Sequence, residues 1–593
     1  MKTILSIMII VILSFSSIFS LATNKPDLSY PPVTDILYAV RKDNIVIQMR
    51  DGINLSTDLF FPENTNEKLP VILIRTPINK TGLGYMPYYF ASQGYVVAVQ
   101  DVRGRFASEG LWEPFINEGD DGFDSIEWLA KQEWSSGKVG MVGGSYMAHA
   151  QFLAAIKKPP HLTTIIPHNL PADPFKNSPY ENGIFLLAPE LWWLNIIESG
   201  IDVNNPAAIR ESQKVKDDTN LCHLPVKEID LLITGKKVPY FSQWTEHNSN
   251  DKYWKRASYQ SALKNLKIPV LLQSGWYDTH SIGTTLAWEE LSGSGNKNAR
   301  LIIGPWNHAN LITPYPSVNK VGNEAKVDLL ALYKRWFDYW LKGIDNKVNE
   351  DPIVKLYVMN DFRWIISDTY PLRQTNYRKL YFDSKQGANS LNGDGKLRWS
   401  FSPDNKPYDS FIYNPGDPAP AFIYRNSRGR SISDSITSGR MDILVYESEK
   451  LDSAMTILGP VSARLFASSD CPDTDWFVYL YAINEDNKYL PITHGCIRAR
   501  FRSSLSHPEL LRKDKIYNYQ IDLWHTGIKL EKNWKIRVEI SSSDFPQYSR
   551  NLNMGMNNES ETEYKLAEQI IYHSDKYQSY IILPVISTQN KNN

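Results

Sequence analysis

Residues 138–158 read KVGMVGGSYMAHAQFLAAIKK. The first seven, KVGMVGG, form an apolar run without alternation, the pattern of a strand buried on both faces. From Ser145 onward the chain is rich in alanine and long apolar residues and predicts a helix. The switch falls within Gly143-Gly144-Ser145-Tyr146. Two glycines allow a tight turn, so the Ser145 hydroxyl stands between a strand end and a helix start. That is the layout of a nucleophile elbow. The backbone N–H of Tyr146, at the positive end of the helix, would face a developing oxyanion. A serine that merely caps a helix satisfies the same local pattern. Met147 and Ala148 also stand where a stricter elbow has glycine. The rest of the chain must therefore supply the partners that catalysis needs.

The flanking sequence repeats the buried-strand pattern in LPVILIRTP (69–77) and GYVVAVQD (94–101), and in shorter form at Thr163–Pro167, Val270–Gly275 and Ala299–Gly304. Between them, DGFDSIEWLAKQ (121–132) sets Phe123, Ile126, Trp128 and Leu129 at helical spacing. Alternating strands and helices predict an open and mostly parallel sheet covered by helices on both sides. NIVIQMRDGINLSTDLF (44–60) flanks Asp51-Gly52 with two alternating stretches and predicts a hairpin. Residues 168–265, rich in Pro, Asn and Trp, break the rhythm. They carry helix-like pieces such as LLAPELWWLNIIESG (186–200) and read as a helical cap inserted between strands. A helix-like stretch, Ala325–Leu341, closes the unit. Beyond about residue 350, PIVKLYVMN (352–360), MDILVYES (441–448), SARLFASS (462–469), WFVYLYAIN (476–484) and NWKIRVEISSS (533–543) predict an all-β domain, a sandwich or jelly roll rather than a propeller because no repeat of fixed period is present. The expected division is a leader at 1–22, core at 23–167, cap at 168–265, core at 266–349 and β-domain at 350–593.

A serine hydroxyl is a poor nucleophile without a base and an acid to orient that base. In this fold the chain order is serine, acid, histidine, each just past the end of a strand. Asp278 follows VLLQSG within Gly275-Trp276-Tyr277-Asp278, and His308 follows LIIG within Gly304-Pro305-Trp306-Asn307-His308. Both have the required place and order. The rivals are His149, one turn into the elbow helix, and His280, in the Asp278 loop.

The 593 residues carry 64 Lys and Arg against 65 Asp and Glu, a net charge of -1. That balance excludes binding of nucleic acid or anionic membrane by bulk charge. Three cysteines with no CxxC pair exclude a thiolate zinc site. There is no phosphate-binding loop, and no metal or cofactor is expected. Cys471 and Cys496 are the candidate disulfide pair. Met1-Lys2, an apolar run from Ile4 to Phe19, and small residues at Ser20 and Ala22 read as a secretory leader cut after Ala22. The run is shorter than the roughly 20 residues of a spanning helix. A secreted or periplasmic protein, free of the membrane after cleavage, is expected.

With these segments in view the chain resembles the serine hydrolases grouped with cocaine esterase, α-amino-acid ester hydrolases, glutaryl acylases and X-Pro dipeptidyl-peptidases (the CocE/NonD type). The matching stretches are RTP (75–77), QDVRGRFASEG (100–110), EWLAKQEWSSGKVGMVGGSY (127–146), GWYD (275–278), GPWNH (304–308), GPVSARLFASSDCPDTDWFVYL (459–480) and GCIRARFR (495–502). The resemblance spans roughly residues 35 to 585. It implies an α/β-hydrolase core, a helical cap and a C-terminal jelly roll resembling galactose-binding domains. It also implies Ser145, Asp278 and His308 as a catalytic triad, a small-molecule or short-peptide acyl substrate, and compatibility with a homo-oligomer.

Two departures stand out. The resemblance implies a Tyr directly after the RTP strand, whose hydroxyl supplies half of the oxyanion hole, yet Ile78 occupies that position. Tyr85, Tyr88 and Tyr89 are the candidate substitutes. Relatives that hold a substrate ammonium place acidic residues just after the triad aspartate, whereas here Thr279, His280 and Ser281 follow. Free α-amino acyl groups are thus disfavoured, unless Asp173 or Glu181 serves from the cap. Trp192, Trp193, Trp276 and Tyr277 are expected in the substrate pocket. Trp192, Trp193, Trp244 and Trp254 line an acyl pocket or else form a tryptophan-rich cap core. Asp101, Arg103 and Arg105 are expected to brace loops. Asp120, Asp121 and Asp124 cluster at a helix start without a calcium-loop pattern. Asp473-Thr474-Asp475 is expected to stabilise a turn. The leading expectation is an exported serine hydrolase acting through an acyl-enzyme. The alternatives are an X-Pro dipeptidyl-peptidase-like exopeptidase and a decayed hydrolase that binds ligand through its jelly roll.

Overall fold

The computed structural model describes residues 36–200, 218–308, 322–401, 407–421 and 439–586, so the expected leader lies outside the described residues. β1 (Val40–Gln48) and β2 (Asn54–Pro62) form the expected hairpin, with Gly52 at φ +85° in its turn. β3 (Leu69–Thr76), β4 (Val96–Asp101), β5 (Ser135–Gly144) and β6 (Leu162–His168) follow. β7 (Tyr180–Glu181) and β8 (Ile184–Phe185) make a small hairpin in the cap. β9 (Val270–Tyr277), β10 (Ala299–Asn307), β11 (Val354–Val358) and β12 (Arg363–Ser367) complete a sheet that, among the described residues, has ten strands in the order β1-β2-β4-β3-β5-β6-β9-β10-β11-β12. From β4 through β11 every neighbouring pair is parallel.

Both faces of this sheet are covered, which is why its strands are apolar without alternation. Val71 and Leu73 of β3 enter a core shared with Ile126 and Leu129 of α2 (Glu118–Ala130) and Phe152 of α3 (Tyr146–Ile156). Ile72 and Ile74 enter a second core with Phe90 of α1 (Met86–Ser92) and with Trp336 and Phe337 of the last helix, Leu329–Trp340. Each such buried side chain stabilises the fold by about 1.5–3 kcal/mol relative to exposure. The cap contributes α4 (Leu187–Ser199) and α5 (Pro239–Glu246), packed around Trp244 and Trp254. α6 (Ser281–Gly293) follows the Asp278 loop. No helix among the described residues is long and apolar enough to cross a membrane.

The C-terminal part is all-β. Among the described residues, eleven strands from Thr375 to Ile586 form a second sheet whose pairs are antiparallel, apart from one short parallel contact. Three expectations need correction here. PIVKLYVMN, assigned to the β-domain, carries β11, which lies parallel to β10 in the first sheet, so the first layer runs past residue 350 to β12. A short β-rich run looks the same whichever sheet it joins. Cys471 and Cys496 do not pair, and Cys222 is free as well. The Cys471 thiol points to the carbonyl of Leu566, and that of Cys496 to the carbonyl of Glu181 in the cap. Asp473 and Asp475 do more than stabilise a turn. They form buried ion pairs with Arg500 and Arg498.

Candidate active site

The chain runs from β3 outward to β4, then returns to place β5 on the other side of β3. That reversal opens a crevice at the carboxyl ends of β3 and β5, the place where open α/β sheets hold ligands. Ser145 sits there. β5 ends at Gly144 and α3 begins at Tyr146, so Ser145 alone makes the turn, at φ +59° and ψ -125°. Such a conformation costs a non-glycine residue about 1–3 kcal/mol. Two hydrogen bonds hold it, from the Ser145 N–H to the carbonyls of His168 and Asn169, both at 3.1 Å. Gly144 is required, because a Cβ there would lie 2.4 Å from the His168 ring. The N–H of Tyr146 is the first of α3 and has no earlier turn to bond to. Its phenol is buried and tied down: the hydroxyl donates to Glu118 at 2.7 Å and accepts from Trp112 Nε1 and the Phe115 N–H, each at 3.2 Å. Glu118 is in turn paired with buried Arg75 of β3.

Asp278 and His308 lie one residue past the neighbouring strands β9 and β10. Their side chains meet, with His308 Nδ1 2.9 Å from Asp278 Oδ1. The Asp278 carboxylate also accepts the backbone N–H of His280 at 3.0 Å. Burial alone would raise the Asp278 pKa, but His308 and His280 outweigh it and the net shift is downward. Desolvation pulls His308 down, and the adjacent carboxylate overrides this to leave its pKa raised. Asn169 Nδ2 donates to the His308 carbonyl and fixes the loop. Asp278 is thus built to remain charged, and His308 to be a stronger base than a free imidazole.

Ser145, Tyr146 and His308 share the wall of a cavity of about 190 Å³ with Trp192, Trp193 and Trp244 of the cap. Trp193 stacks on Trp244 with ring centroids 5.9 Å apart. Trp254 is in the cap core, its Nε1 donating to the His247 carbonyl. Trp276 and Tyr277, expected in the pocket, instead line a separate cavity on the other side of the Asp278 loop. The Trp276 indole is held there by the Tyr357 carbonyl at 2.7 Å. The expected substitutes for the missing tyrosine are also elsewhere: Tyr85 and Tyr88 are solvent-exposed, Tyr89 is packed in the core beside Phe90, and none of the three lines the Ser145 cavity. Ile78 is held by reciprocal bonds with Thr76, whose hydroxyl accepts from its N–H and donates to its carbonyl.

The rival histidines take other places. His149 is buried against Phe115, bonded to the Ala257 carbonyl, and desolvated to a pKa of about 4. His280 stands edge-on to His308 and is likewise lowered to about 4 by burial. Asp101, Arg103 and Arg105 do brace loops, through Lys80, through Asp51 and Asp121, and through the carbonyls of Pro77 and Ile197. Asp120, Asp121 and Asp124 are each paired with a cation: Lys157, Arg103 and Arg50.

Neither acid suggested from the cap reaches the pocket. Asp173 accepts the N–H groups of Tyr259 and Gln260, and Glu181 is bonded by Trp524 and Tyr548. Glu190 of α4 does reach it. Its carboxyl accepts a hydrogen bond from Ser178 at 2.6 Å, and no lysine or arginine pairs with it among the described residues. Burial lifts its pKa to about 7. The sequence did carry a signal, a lone acid inside the apolar stretch LLAPELWWL.

Comparison with known proteins agrees with this architecture. The chain matches the family model described as X-Pro dipeptidyl-peptidase (S15 family) over residues 51–310. The model for the X-Pro dipeptidyl-peptidase C-terminal non-catalytic domain matches residues 346–582. The chain is 31% identical over 574 residues to a cocaine esterase of Rhodococcus sp. (strain MB1 Bresler), covering 92% of this chain and 98% of that protein. A putative Xaa-Pro dipeptidyl-peptidase of Bacillus anthracis is 25% identical, over 47% of this chain and 43% of that protein. Among solved structures, an α-amino acid ester hydrolase superposes with a TM-score of 0.76 at 22% identity, covering 95% of this chain and 100% of the other. A CocE/NonD family hydrolase from Staphylococcus aureus gives 0.67 at 20% identity, over 92% and 94%. At these identities the two structures show a shared fold.

Proposed function

The chain belongs to the serine hydrolases of the cocaine esterase (CocE/NonD) family, and from that premise we propose that it cleaves an ester or amide through an acyl-enzyme formed on Ser145. His308 Nε2 takes the Ser145 proton as Oγ attacks the carbonyl, then delivers it to the leaving group. Asp278 holds the Nδ1–H tautomer and stabilises the imidazolium. The Tyr146 N–H binds the oxyanion, and water then repeats the sequence on the acyl-enzyme. The observation that carries this reading is the 2.9 Å contact between the buried Asp278 carboxylate and His308, which lines the same cavity as Ser145. With Ile78 in place of a phenol donor, one oxyanion contact is lost. Such a loss costs about 10²–10³ in turnover, so the reading favours activated esters over plain amides. Labelling with a fluorophosphonate probe, located by peptide mapping, tests it: modification at Ser145 is expected, and an unlabelled folded protein would count against the triad.

A second reading concerns the acyl group. Glu190 favours a substrate with an ammonium on its acyl side, as in an aminoacyl ester or the free N-terminus of an X-Pro dipeptide. A buried carboxyl without a counter-charge is costly, and a bound cation would relieve that cost. The measurement is kcat/KM for matched esters with and without an α-amino group. Export is also proposed, on the leader-like residues 1–22. N-terminal sequencing of the secreted product should begin at Thr23.

A further inference from the structure

Three side chains of metal-ligating type converge at the edge of the Ser145 cavity. Asp278, His280 and His308 each offer one atom, and the three atoms lie within 4.8 Å of one another. Two of them already touch, at 2.9 Å. The third residue, His280, sets its ring perpendicular to that of His308, with centroids 4.7 Å apart. Its Nδ1 is buried without a hydrogen-bond partner. Buried polar atoms are nearly always paired, so an orphan imidazole nitrogen beside a carboxylate and a second imidazole marks a place where a further group fits.

We propose that Asp278, His280 and His308 form an inhibitory binding site for Zn²⁺. Two imidazoles and one carboxylate are a donor set suited to this ion, which accepts three protein ligands and leaves the fourth position to water. With Zn–N and Zn–O bonds of about 2.0–2.2 Å, tetrahedral ligand atoms sit roughly 3.3 Å apart. The present triangle reaches that spacing by a contraction of about 1.5 Å at its longest edge, within the reach of a rotamer adjustment.

The inhibitory consequence follows from the tautomers of His308 and rests on its proposed role as base; the binding does not. A neutral imidazole has one N–H and one lone pair. In the working form the N–H is at Nδ1, donating to Asp278, and the lone pair is at Nε2, toward Ser145. Zinc at Nδ1 takes the lone pair there, so the proton moves through solvent to Nε2. No proton is lost, and no oxidant or reductant is involved. Nε2 becomes a donor and no longer accepts the serine proton. His280 supplies the third ligand that makes this capture tight, a role distinct from the chemistry of the triad.

The test uses the metal-free full-length protein, titrated with Zn²⁺ against a chromophoric chelator while ester turnover is followed. One zinc per chain is expected, with turnover lost in step with occupancy and restored by excess chelator. His280→Phe and His280→Gln should each weaken zinc binding by about tenfold or more. The zinc concentration for half-inhibition, normalised to each variant's own metal-free rate, should rise by the same factor. Circular dichroism checks the fold of both variants. If neither folds, the visible spectrum of the Co²⁺-loaded wild type decides, since only a low-symmetry four-coordinate site gives strong absorption. Absence of stoichiometric binding, or binding and inhibition equal in wild type and both variants, would overturn the proposal. A metal-free protein inert toward esters would instead overturn the proposed mechanism, and zinc stoichiometry alone would then decide the site.

Discussion

The phenol of Tyr146 donates a 2.7 Å hydrogen bond to the buried carboxylate of Glu118, which is itself paired with Arg75. The residue whose N–H faces the proposed oxyanion is therefore anchored by its side chain to α2 and β3. Tyr146→Phe removes one partner of Glu118 and leaves Trp112 Nε1 and the Phe115 N–H without their acceptor. A loss of about 1–3 kcal/mol of stability is expected, read by urea denaturation. A smaller change than 0.5 kcal/mol, roughly the scale of a neutral surface substitution, would show that the anchor is dispensable.

Ser145→Ala should abolish fluorophosphonate labelling and lower kcat by about 10⁶-fold, and Asp278→Asn should lower it by about 10⁴-fold through the wrong His308 tautomer. Rapid-quench kinetics with an activated ester should show a burst in the wild type only. By contrast, Tyr85→Phe, Tyr88→Phe and Tyr89→Phe should leave kcat within about twofold, since none of these rings lines the cavity.

In the proposed mechanism the acid limb of the pH profile reports His308. The base must be neutral, and its pKa is raised by Asp278. Activity should therefore fall as pH drops through a midpoint above the ordinary histidine value near 6.5. In Asp278→Asn the residual activity should show that midpoint shifted downward; an unshifted limb would assign it to another group.

Glu190 makes opposite predictions for stability and specificity. Its pKa is raised to about 7, so between its unfolded value and pH 7 the folded state binds the extra proton. Stability contributed by the neutral carboxyl is present at low pH and lost as pH rises through that window. Glu190→Gln should remove this slope and stabilise the protein at pH 8 by up to about 3 kcal/mol. The same variant should lose preference for an α-amino ester over its neutral analogue by about tenfold or more. An unchanged ratio would sever Glu190 from substrate recognition.

A thiol-reactive chromophore should titrate one thiol in the native protein, exposed Cys222, and three after denaturation without reductant. Two fewer in the second step would restore the disulfide.

Part of the protein was legible in its sequence. The apolar runs at 69–77, 94–101 and 138–144 specified buried parallel strands, because only a strand covered on both faces dispenses with alternation. Gly143-Gly144-Ser145 specified the turn, and chain order selected Asp278 and His308, because the backbone of this fold delivers each to a strand end. These are local signals. What tertiary structure alone decided depends on packing between distant segments. β11 joined the first sheet because β10 offered it an edge. Trp276 turned from the Ser145 cavity because the Tyr357 carbonyl captured its indole. Cys471 and Cys496 stayed apart because the first sits in a bend between strands, facing the Leu566 carbonyl, and the second in a strand, facing the Glu181 carbonyl. Glu190, among apolar residues in α4, became a pocket wall only when the cap closed over Ser145. Strand and turn preferences act within a few residues, whereas a pocket is written by contacts among residues far apart in the chain.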